Sequence, residues 1–352
     1  IGLAGAEMAL EDELQSRAAE GGEPLALSLD VRFQQVVREE LAATIETFSA
    51  LGGTGIVLDV HTGEVMAMVS LPDFDPNHAG DSQDEALFNR ATLGVYELGS
   101  IFKVFTAGMA LEAGLVDLSS GYDASEPLRV ARFTIRDYKP KNRLLSLPEI
   151  LVYSSNIGAA RMAMDVGADG QQEFLRRIGL MMPSEIELPE VGDPIYPSTW
   201  REINTMTIGF GHGIAVTPIQ AASALAAMVN GGTLYQPTVL EWQSDLPPPG
   251  TRVISEETSN TLRLLTHLVV EYGSGRKAQV DGYLIGGKTG TAEKLDSAGG
   301  YAEDRLLSSF AAAFPIDDPR YVILVSIDEP QGIEASYGYA TGGWTAAPVV
   351  QG

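Results

Sequence analysis

Ser100 and Lys103 lie three positions apart and could form a nucleophile with its own base. On a helix, this spacing places the hydroxyl and the amine on one face. Residues 104–113 are rich in Ala, Met and Leu and precede Gly114, which predicts a helix that begins near Ser100. Gly99 would let the chain turn sharply into this helix. Backbone N–H groups and the dipole at the helix N-terminus would favour an oxyanion, so the motif indicates acyl transfer.

A second pair has the same spacing, Ser274 and Lys277. A Ser and a Lys at this spacing occur by chance about once in a chain of this length. The second pair follows Gly273 and precedes a polar run in which no amphipathic helix is indicated. We predict a loop for residues 274–277, so the first pair has to be judged by the motifs that accompany it.

The composition excludes several kinds of chemistry. The chain has 352 residues, 45% of them hydrophobic, which is enough for one large domain or two smaller ones. Its formal net charge of −24 opposes nucleic-acid binding, because phosphate contacts need clustered cations. There is no Cys, and the four His residues show no metal-ligand spacing. We therefore expect no disulfide, no thiol catalysis, no metal and no cofactor.

The N-terminal segment differs from the rest of the chain. Residues 1–23 are acidic and amphipathic, end near a Gly pair at 21–22, and show neither an initiator Met nor a signal-peptide layout. We expect an internal part of a longer protein, in which residues 1–23 are the remnant of an upstream non-catalytic module. Residues 24–352 are then one large domain, and no window approaches the roughly 18 apolar residues of a membrane span.

The elements around the motif follow from the apolar patterns. A brief strand is predicted at 25–29, and Asp30 can cap a helix over 31–48 whose apolar stripe should pack on a sheet. Two β-rich runs around a Gly turn predict an antiparallel hairpin, at 54–60 and 64–71. Further helices are predicted at 157–164, 219–229 and 255–272. Residues 72–84 and 115–145 are predicted to be loop or irregular.

The last third of the chain returns to β-structure. Strands are predicted at 283–293, 306–314 and 320–328. Strands at both ends of the chain and helices in the middle predict a mixed α/β (α+β) domain with one sheet assembled from both ends.

The first of these late strands contains the run Lys288-Thr289-Gly290, flanked by glycines that permit close approach of a ligand. Together with Ser100-x-x-Lys103 and Ser154-x-Asn156, this run completes a set of three motifs in one order. The set resembles the active-site motifs of penicillin-binding proteins and class A β-lactamases.

The resemblance covers nearly all of the chain and is closest to the transpeptidase domain of class B penicillin-binding proteins, especially the division-associated type. The matching stretches are 62–65, 72–77, 153–158, 216–218 and 287–293. The resemblance implies a penicilloyl-serine-transferase (β-lactamase-like) fold with an antiparallel sheet and a helical subdomain in the middle, for residues 24–352. Two departures are visible: Leu98 stands where the family often has Pro, and the chain is expected to stop before the usual final helix.

The resemblance also implies a role for each motif residue. Ser100 would attack the D-Ala-D-Ala carbonyl of a peptidoglycan stem peptide, with Lys103 as its base and Ser154 as a proton relay to the leaving amine. Asn156 would hydrogen-bond the substrate amide. Lys288, which is also counted among the catalytic residues, and Thr291 would hold the substrate's terminal carboxylate. Thr289 and Gly290 would be further substrate-binding residues of the same strand. The backbone N–H groups of Ser100 and Thr291 would form the oxyanion hole.

Two rival functions share these motifs. A serine β-lactamase differs mainly in how fast water clears the acyl-enzyme, and Glu185-Ile186-Glu187-Leu188 is similar to a class A β-lactamase loop. Pro189 stands where that loop needs an amide, so we favour the transpeptidase. A non-enzymatic β-lactam sensor domain is the other rival.

The expected partners are peptidoglycan stem peptides and β-lactam antibiotics, with cell-wall glycosyltransferase and divisome proteins for the full-length protein. The resemblance implies a location at the periplasmic face of the bacterial inner membrane, with the anchor segment absent from this chain, and a role in septal wall synthesis.

Overall fold

The computed structural model describes residues 4–22, 24–295 and 300–352. The helices in this part of the chain are α1 Gly5–Ala9, α2 Glu11–Glu20, α3 Val31–Thr47, α4 Asp84–Leu87, α5 Phe102–Glu112, α6 Leu147–Val152, α7 Asn156–Arg177, α8 Glu202–Ile208, α9 Pro218–Val229, α10 Glu256–Tyr272 and α11 Ala346–Gln351. The strands are β1 Gly52–Asp59, β2 Val65–Leu71, β3 Gly121–Asp123, β4 Leu128–Val130, β5 Phe133–Ile135, β6 Leu144–Ser146, β7 Thr233–Leu234, β8 Thr251–Arg252, β9 Gly286–Leu295, β10 Tyr301–Phe314 and β11 Tyr321–Asp328.

A five-stranded antiparallel sheet organises the molecule, in the order β2-β1-β11-β10-β9. The first two strands come from the N-terminal part of the chain and the last three from its C-terminal part. The mixed α/β class and the sheet built from both chain ends are therefore confirmed. β9 is an edge strand, so one backbone edge of residues 288–290 is not paired with another described strand of this sheet.

Both faces of the sheet are covered, which explains why β1 is buried along almost its whole length. Val57 belongs to the core under α3 and α11, whereas Ile56 and Leu58 belong to the core shared with the central helices. Side chains alternate between the faces of a strand, so adjacent residues serve different layers. On the α3 side, a Cβ built on Gly55 would lie 2.5 Å from Val37 Cγ1. That glycine lets the helix approach the sheet closely.

Two apolar helices, α5 and α9, form the centre of the helical subdomain. All of α9 is buried, and so are Phe102 through Ala110 of α5. A helix that is apolar on all sides has to be buried, and this burial fixes the direction in which α5 presents its first turn. Thr217 caps α9 by accepting from Gln220 N, with Pro218 at the first helical position, and the helix predicted at 219–229 is present.

Three expectations from the sequence are wrong. Residues 25–29 form no strand but a single bridge between Leu27 and Leu240, because no strand of the described residues lies beside them to extend the pairing. The irregular region 115–145 contains two short strand pairs, β3 with β6 and β4 with β5. A helix, α11, is present at residues 346–351, where none was expected, and it packs its buried Val349 under the sheet.

The predicted division at residue 23 falls outside the described residues and stays a prediction. At the start of the described residues, α1 begins with Gly5, whose backbone N–H donates to the Glu190 carboxylate at 3.0 Å. In the described ranges, no helix is long and apolar enough to cross a membrane.

Candidate active site

Ser100 lies in a single 3₁₀ turn, Gly99–Ile101, that leads directly into α5. The helical turn predicted at Ser100 is therefore present, but its first residues, 99–101, are 3₁₀ instead of α-helical. Gly99 has φ of +54°, and a Cβ built on it would lie 2.6 Å from Thr291 O. Glycine is needed here both for the left-handed backbone and for the close approach of β9.

The amine of Lys103 lies at the centre of the motif residues. Its Nζ is 2.7 Å from Ser100 Oγ, 2.7 Å from Ser154 O, 3.1 Å from Ser154 Oγ and 2.7 Å from Asn156 Oδ1. The side chain is 1% exposed. The predicted nucleophile and its predicted base are therefore in direct contact, and the amine is away from bulk water.

Both lysines of the site have lowered pKa values. Burial is the main cause of a pKa of Lys103 well below 10.5, the positive charge of Lys288 lowers it further, and the Asp137 carboxylate acts in the opposite direction. Burial also lowers the pKa of Lys288 from 10.5 to about 7. Removing water from an ammonium disfavours its charged form, so the site favours neutral amines.

Ser154 links the two lysines. Its Oγ accepts from Lys103 Nζ at 3.1 Å and from Lys288 Nζ at 2.9 Å. The residue follows α6 and has φ of +56°, a left-handed conformation that costs a non-glycine residue on the order of 1–3 kcal/mol. Because the two amines occupy its lone pairs, the hydroxyl proton of Ser154 is available to a ligand.

Asn156 begins α7, and its amide is held on both sides. Oδ1 accepts from Lys103 Nζ, and Nδ2 donates to Arg136 O at 3.0 Å. The start of the helix is fixed by Asp137, which accepts from Ser155 Oγ at 2.8 Å and from Ile157 N at 2.9 Å. Sequence reasoning missed Asp137, because it lies in the region predicted to be irregular and carries no motif.

Strand β9 brings the third motif against the nucleophile's turn. Lys288 is 1% exposed, and its Nζ donates to Ser154 Oγ and to Thr289 O at 3.1 Å. A Cβ at Gly290 would collide with Leu98 O, which explains the glycine at this position. Lys288 therefore reaches Ser154 from the sheet while Lys103 reaches it from α5.

The two threonines of the same strand contact different neighbours. Thr289 Oγ1 is 2.5 Å from Ser274 Oγ, and Thr291 Oγ1 accepts from Gly342 N at 3.2 Å. Thr289 is buried, so a substrate carboxylate would meet its hydroxyl already engaged with Ser274. Neither Ser274 nor Gly342 was predicted as a neighbour of the site, because contacts between remote segments leave no local pattern.

The second Ser-Lys pair does not form a nucleophile and base. Ser274 lies in the turn after α10, and Lys277 lies in a 3₁₀ turn, Arg276–Ala278. Lys277 Nζ is 4.3 Å from the centre of the Trp344 ring, whereas Ser274 Oγ contacts Thr289. The loop predicted for residues 274–277 is present only at 274–275, because Arg276 and Lys277 belong to the 3₁₀ turn.

The acidic loop that suggested a β-lactamase contacts another part of the molecule. Glu187 accepts from Thr238 Oγ1 at 2.5 Å and from Val239 N at 3.0 Å. Glu185 is exposed and borders a surface pocket together with Arg176 and Pro237. The contacts of Glu187 therefore hold this loop against residues 238–239.

Comparisons with known proteins show to which family the chain belongs. Residues 53–351 match the family model described as penicillin binding protein transpeptidase domain. The chain is 42% identical over 355 residues to the probable peptidoglycan D,D-transpeptidase FtsI of Caulobacter vibrioides, with 99% of this chain and 60% of that protein covered. It is 32% identical over 341 residues to the peptidoglycan D,D-transpeptidase FtsI of Escherichia coli, with 96% and 56% covered. The chain thus spans less than two thirds of these relatives.

A solved structure shows the same architecture. The apo structure of the TP domain from Burkholderia pseudomallei penicillin-binding protein 3 superimposes with a TM-score of 0.82 at 31% identity. The match covers 92% of this chain and 93% of that chain. The fold implied by the resemblance is therefore confirmed.

Proposed function

The chain belongs to the family of penicillin-binding protein transpeptidase domains, and from this premise we propose that it is a serine D,D-transpeptidase that cross-links peptidoglycan stem peptides. The observation that carries the proposal is the contact of 2.7 Å between Lys103 Nζ and Ser100 Oγ, in a site that lowers the pKa of Lys103. A serine hydroxyl is a poor nucleophile until a neighbouring base takes its proton.

In the first half-reaction, neutral Lys103 accepts the proton of Ser100, and Oγ attacks the carbonyl carbon of the penultimate D-Ala. The resulting oxyanion lies against the N–H groups of Ser100 and Thr291. The C–N bond to the terminal D-Ala then breaks, and the leaving amine takes a proton through the Ser154 hydroxyl. The product is an ester on Ser100 and a free D-Ala.

In the second half-reaction, an amine of a neighbouring stem peptide attacks the ester carbonyl. Lys103 accepts a proton from this amine, and the C–O bond to Ser100 breaks as Oγ regains a proton. The new amide joins the two peptides. Asn156 is suited to hydrogen-bond the donor's amide, and the edge strand β9 is suited to pair with an extended peptide. The proposed neighbours of the donor's carboxylate are four consecutive residues of β9: Lys288, Thr289, Gly290 and Thr291.

The cellular setting is a further part of the proposal. The E. coli and Caulobacter relatives are named as peptidoglycan D,D-transpeptidases, and each is longer than this chain. We place the chain at the periplasmic face of the bacterial inner membrane, in septal wall synthesis, with a glycosyltransferase and divisome proteins as partners of the full-length protein. β-Lactams are the expected inhibitors, because they would acylate the same serine.

Two measurements test the proposal. Intact-mass spectra after benzylpenicillin treatment should show one adduct that persists, and Ser100→Ala should show none. A donor thioester that imitates the D-Ala-D-Ala end, mixed with a D-amino acid acceptor, should give a ligated product. Hydrolysis of the adduct within seconds would favour the β-lactamase, and a stable adduct without ligated product would favour the sensor domain.

A further inference from the structure

Glu97, three residues before the nucleophile, makes contacts that the proposed chemistry does not use. It is half-buried, and its Oε1 accepts from Gly213 N at 2.8 Å and from the Tyr301 hydroxyl at 3.0 Å, with Oε2 3.1 Å from the same hydroxyl. The pKa of Glu97 is raised above its usual value, because the effect of burial exceeds that of the two donors, which lower it. A carboxylate in this position costs desolvation energy, so its hydrogen bonds need a structural or functional reason.

The first of the two donors belongs to the turn that follows α8. This turn packs directly on the nucleophile's backbone, because a Cβ at Gly211 would collide with Gly99 O. It is also tied to α5, since Thr106 Oγ1 donates to Gly209 O at 2.8 Å. The Glu97 contact with Gly213 therefore holds one side of the Gly99–Ile101 turn.

The second donor belongs to the opposite side of the same turn. Tyr301 begins β10 and pairs with Leu295 of β9, beyond a register shift between Ala302 and Leu306. The ladder alone holds this end of the hairpin weakly, because the pairing is irregular there. Glu97 adds a hydrogen bond to Tyr301, and His212 adds an edge-on ring contact with a centroid distance of 5.7 Å.

We propose that Glu97 is a positioning residue, which joins the turn after α8 to the β9–β10 hairpin across the backbone of Ser100. Gly99 lies between the two partners, with Gly211 on one side and Thr291 on the other. Of the oxyanion donors proposed above, the N–H group of Thr291 is on the β9–β10 hairpin and that of Ser100 is in the turn between the two joined segments. The inference rests on the proposed acyl transfer and names a residue that acts through others.

Loss of this link should slow acylation more than it weakens initial binding. Displacement of a reacting group by about 1 Å can cost 100-fold in rate, whereas non-covalent capture of a penicillin depends on other contacts. We expect Glu97→Ala to lower the acylation rate constant for benzylpenicillin about 10- to 100-fold. The non-covalent dissociation constant should stay within about threefold of the original value.

Two further variants show whether slow acylation comes from lost hydrogen bonds, from the lost charge of Glu97 or from unfolding. Glu97→Gln keeps one oxygen for Gly213 N–H and can donate its amide to the Tyr301 hydroxyl, so it should acylate within about threefold of the unaltered protein. Tyr301→Phe removes one of the two donors and should slow acylation about three- to tenfold, which keeps the test available if the alanine variant unfolds.

Glu112→Ala is the matched control for lost stability. Glu112 Oε2 accepts from Ser255 N at 2.9 Å and from Thr258 Oγ1 at 2.7 Å, at the far end of α5. It lies about 18 Å along the helix from Ser100. The substitution Glu112→Ala therefore removes a carboxylate that, like Glu97, accepts from a backbone N–H and a hydroxyl. The acylation rate constant should be unchanged at temperatures where this variant is folded.

The outcomes are distinguishable in stopped-flow acylation traces and thermal unfolding of the same samples. Acylation of Glu97→Ala at the original rate, or slowing equal to that of Glu112→Ala, would overturn the inference while leaving the proposed function intact. Glu97→Gln as slow as Glu97→Ala would also overturn it, since the hydrogen bonds would then not be the cause. If the unaltered protein is not acylated at Ser100, the proposed function itself fails.

Discussion

Four oxygen atoms surround the amine of Lys103, whereas an ammonium has three protons to donate. A neutral amine has two N–H groups and one lone pair. Ser154 O and Asn156 Oδ1 can only accept, so in the neutral amine they take the two N–H groups and leave the lone pair for the Ser100 hydroxyl. In that state Ser154 Oγ accepts from Lys288 Nζ alone. The geometry around Lys103 thus suits a neutral base, in agreement with its lowered pKa.

Lys103→Ala should therefore abolish labelling by a fluorescent penicillin without unfolding the protein. Loss of a positioned general base typically costs 100- to 10,000-fold in rate, so about that decrease is expected. Lys277→Ala removes the lysine of the second pair and should label at the original rate. Labelling of both variants at equal rates would remove Lys103 from the mechanism.

The pH dependence of acylation tests the interaction between the two lysines. The rate should fall as the pH is lowered, because Lys103 gains a proton and can no longer accept one from Ser100. The charge of Lys288 lowers the pKa of Lys103, so Lys288→Ala should raise this pKa and move the acid limb to higher pH. Lys294→Ala, in the same strand but paired with Asp328 at 2.8 Å, should leave the limb in place. An acid limb that stays fixed or moves to lower pH in Lys288→Ala would contradict this coupling.

Among the elements, those with periodic patterns or strong caps were predictable from the sequence. The helix over 31–48, the capped α9 and the last strand appear close to their predicted bounds, because their apolar positions repeat and their ends carry Asp, Thr-Pro or Gly. β9 is shifted by two to three residues, and β10 begins five residues before its predicted start. The strand predicted at 25–29 is absent, because strand formation depends on a partner that the local sequence does not specify. The same limit applies to Asp137 and Glu97 in the site, whose roles arise from contacts with remote segments.

The turn before α5 offers a test of how closely β9 has to approach the nucleophile. Gly99 and Gly114 both have positive φ, of +54° and +68°, but only Gly99 has a neighbour in the way of a Cβ. Gly114→Ala should cost about 1 kcal/mol of unfolding free energy for the backbone conformation alone. Gly99→Ala should cost more, and should slow acylation at least about tenfold, because Thr291 has to move. Equal stability and equal acylation in the two variants, from urea unfolding and penicillin labelling, would argue against the contact.

At the scale of the whole molecule, a sheet built from both chain ends ties the two motif-bearing regions into one unit. β9 carries Lys288 and is paired through β10 and β11 to β1, whereas the other two motifs lie where α5 and α7 begin. The site therefore depends on contacts between residues far apart in the chain. Its two buried lysines lie inside a protein with a net charge of −24.

Limited proteolysis tests the proposed single domain over residues 24–352. Early cuts should remove residues near 1–23 and leave one resistant fragment, because the remaining chain shares one sheet. The fragments can be assigned by mass spectrometry, with penicillin labelling as a check that the resistant fragment is intact. Rapid cleavage within residues 100–290 into two stable halves would contradict the proposal.

The most direct test of the account is the identity of the serine that benzylpenicillin acylates. Ser100 has Lys103 at 2.7 Å, the first turn of α5 and the strand of Lys288, whereas Ser274 has the same sequence spacing without the contact to its lysine. After brief treatment, proteolytic digestion and peptide mapping, the adduct should lie on Ser100 alone. An adduct on Ser274, or equal labelling of the unaltered protein and Ser100→Ala, would contradict the account.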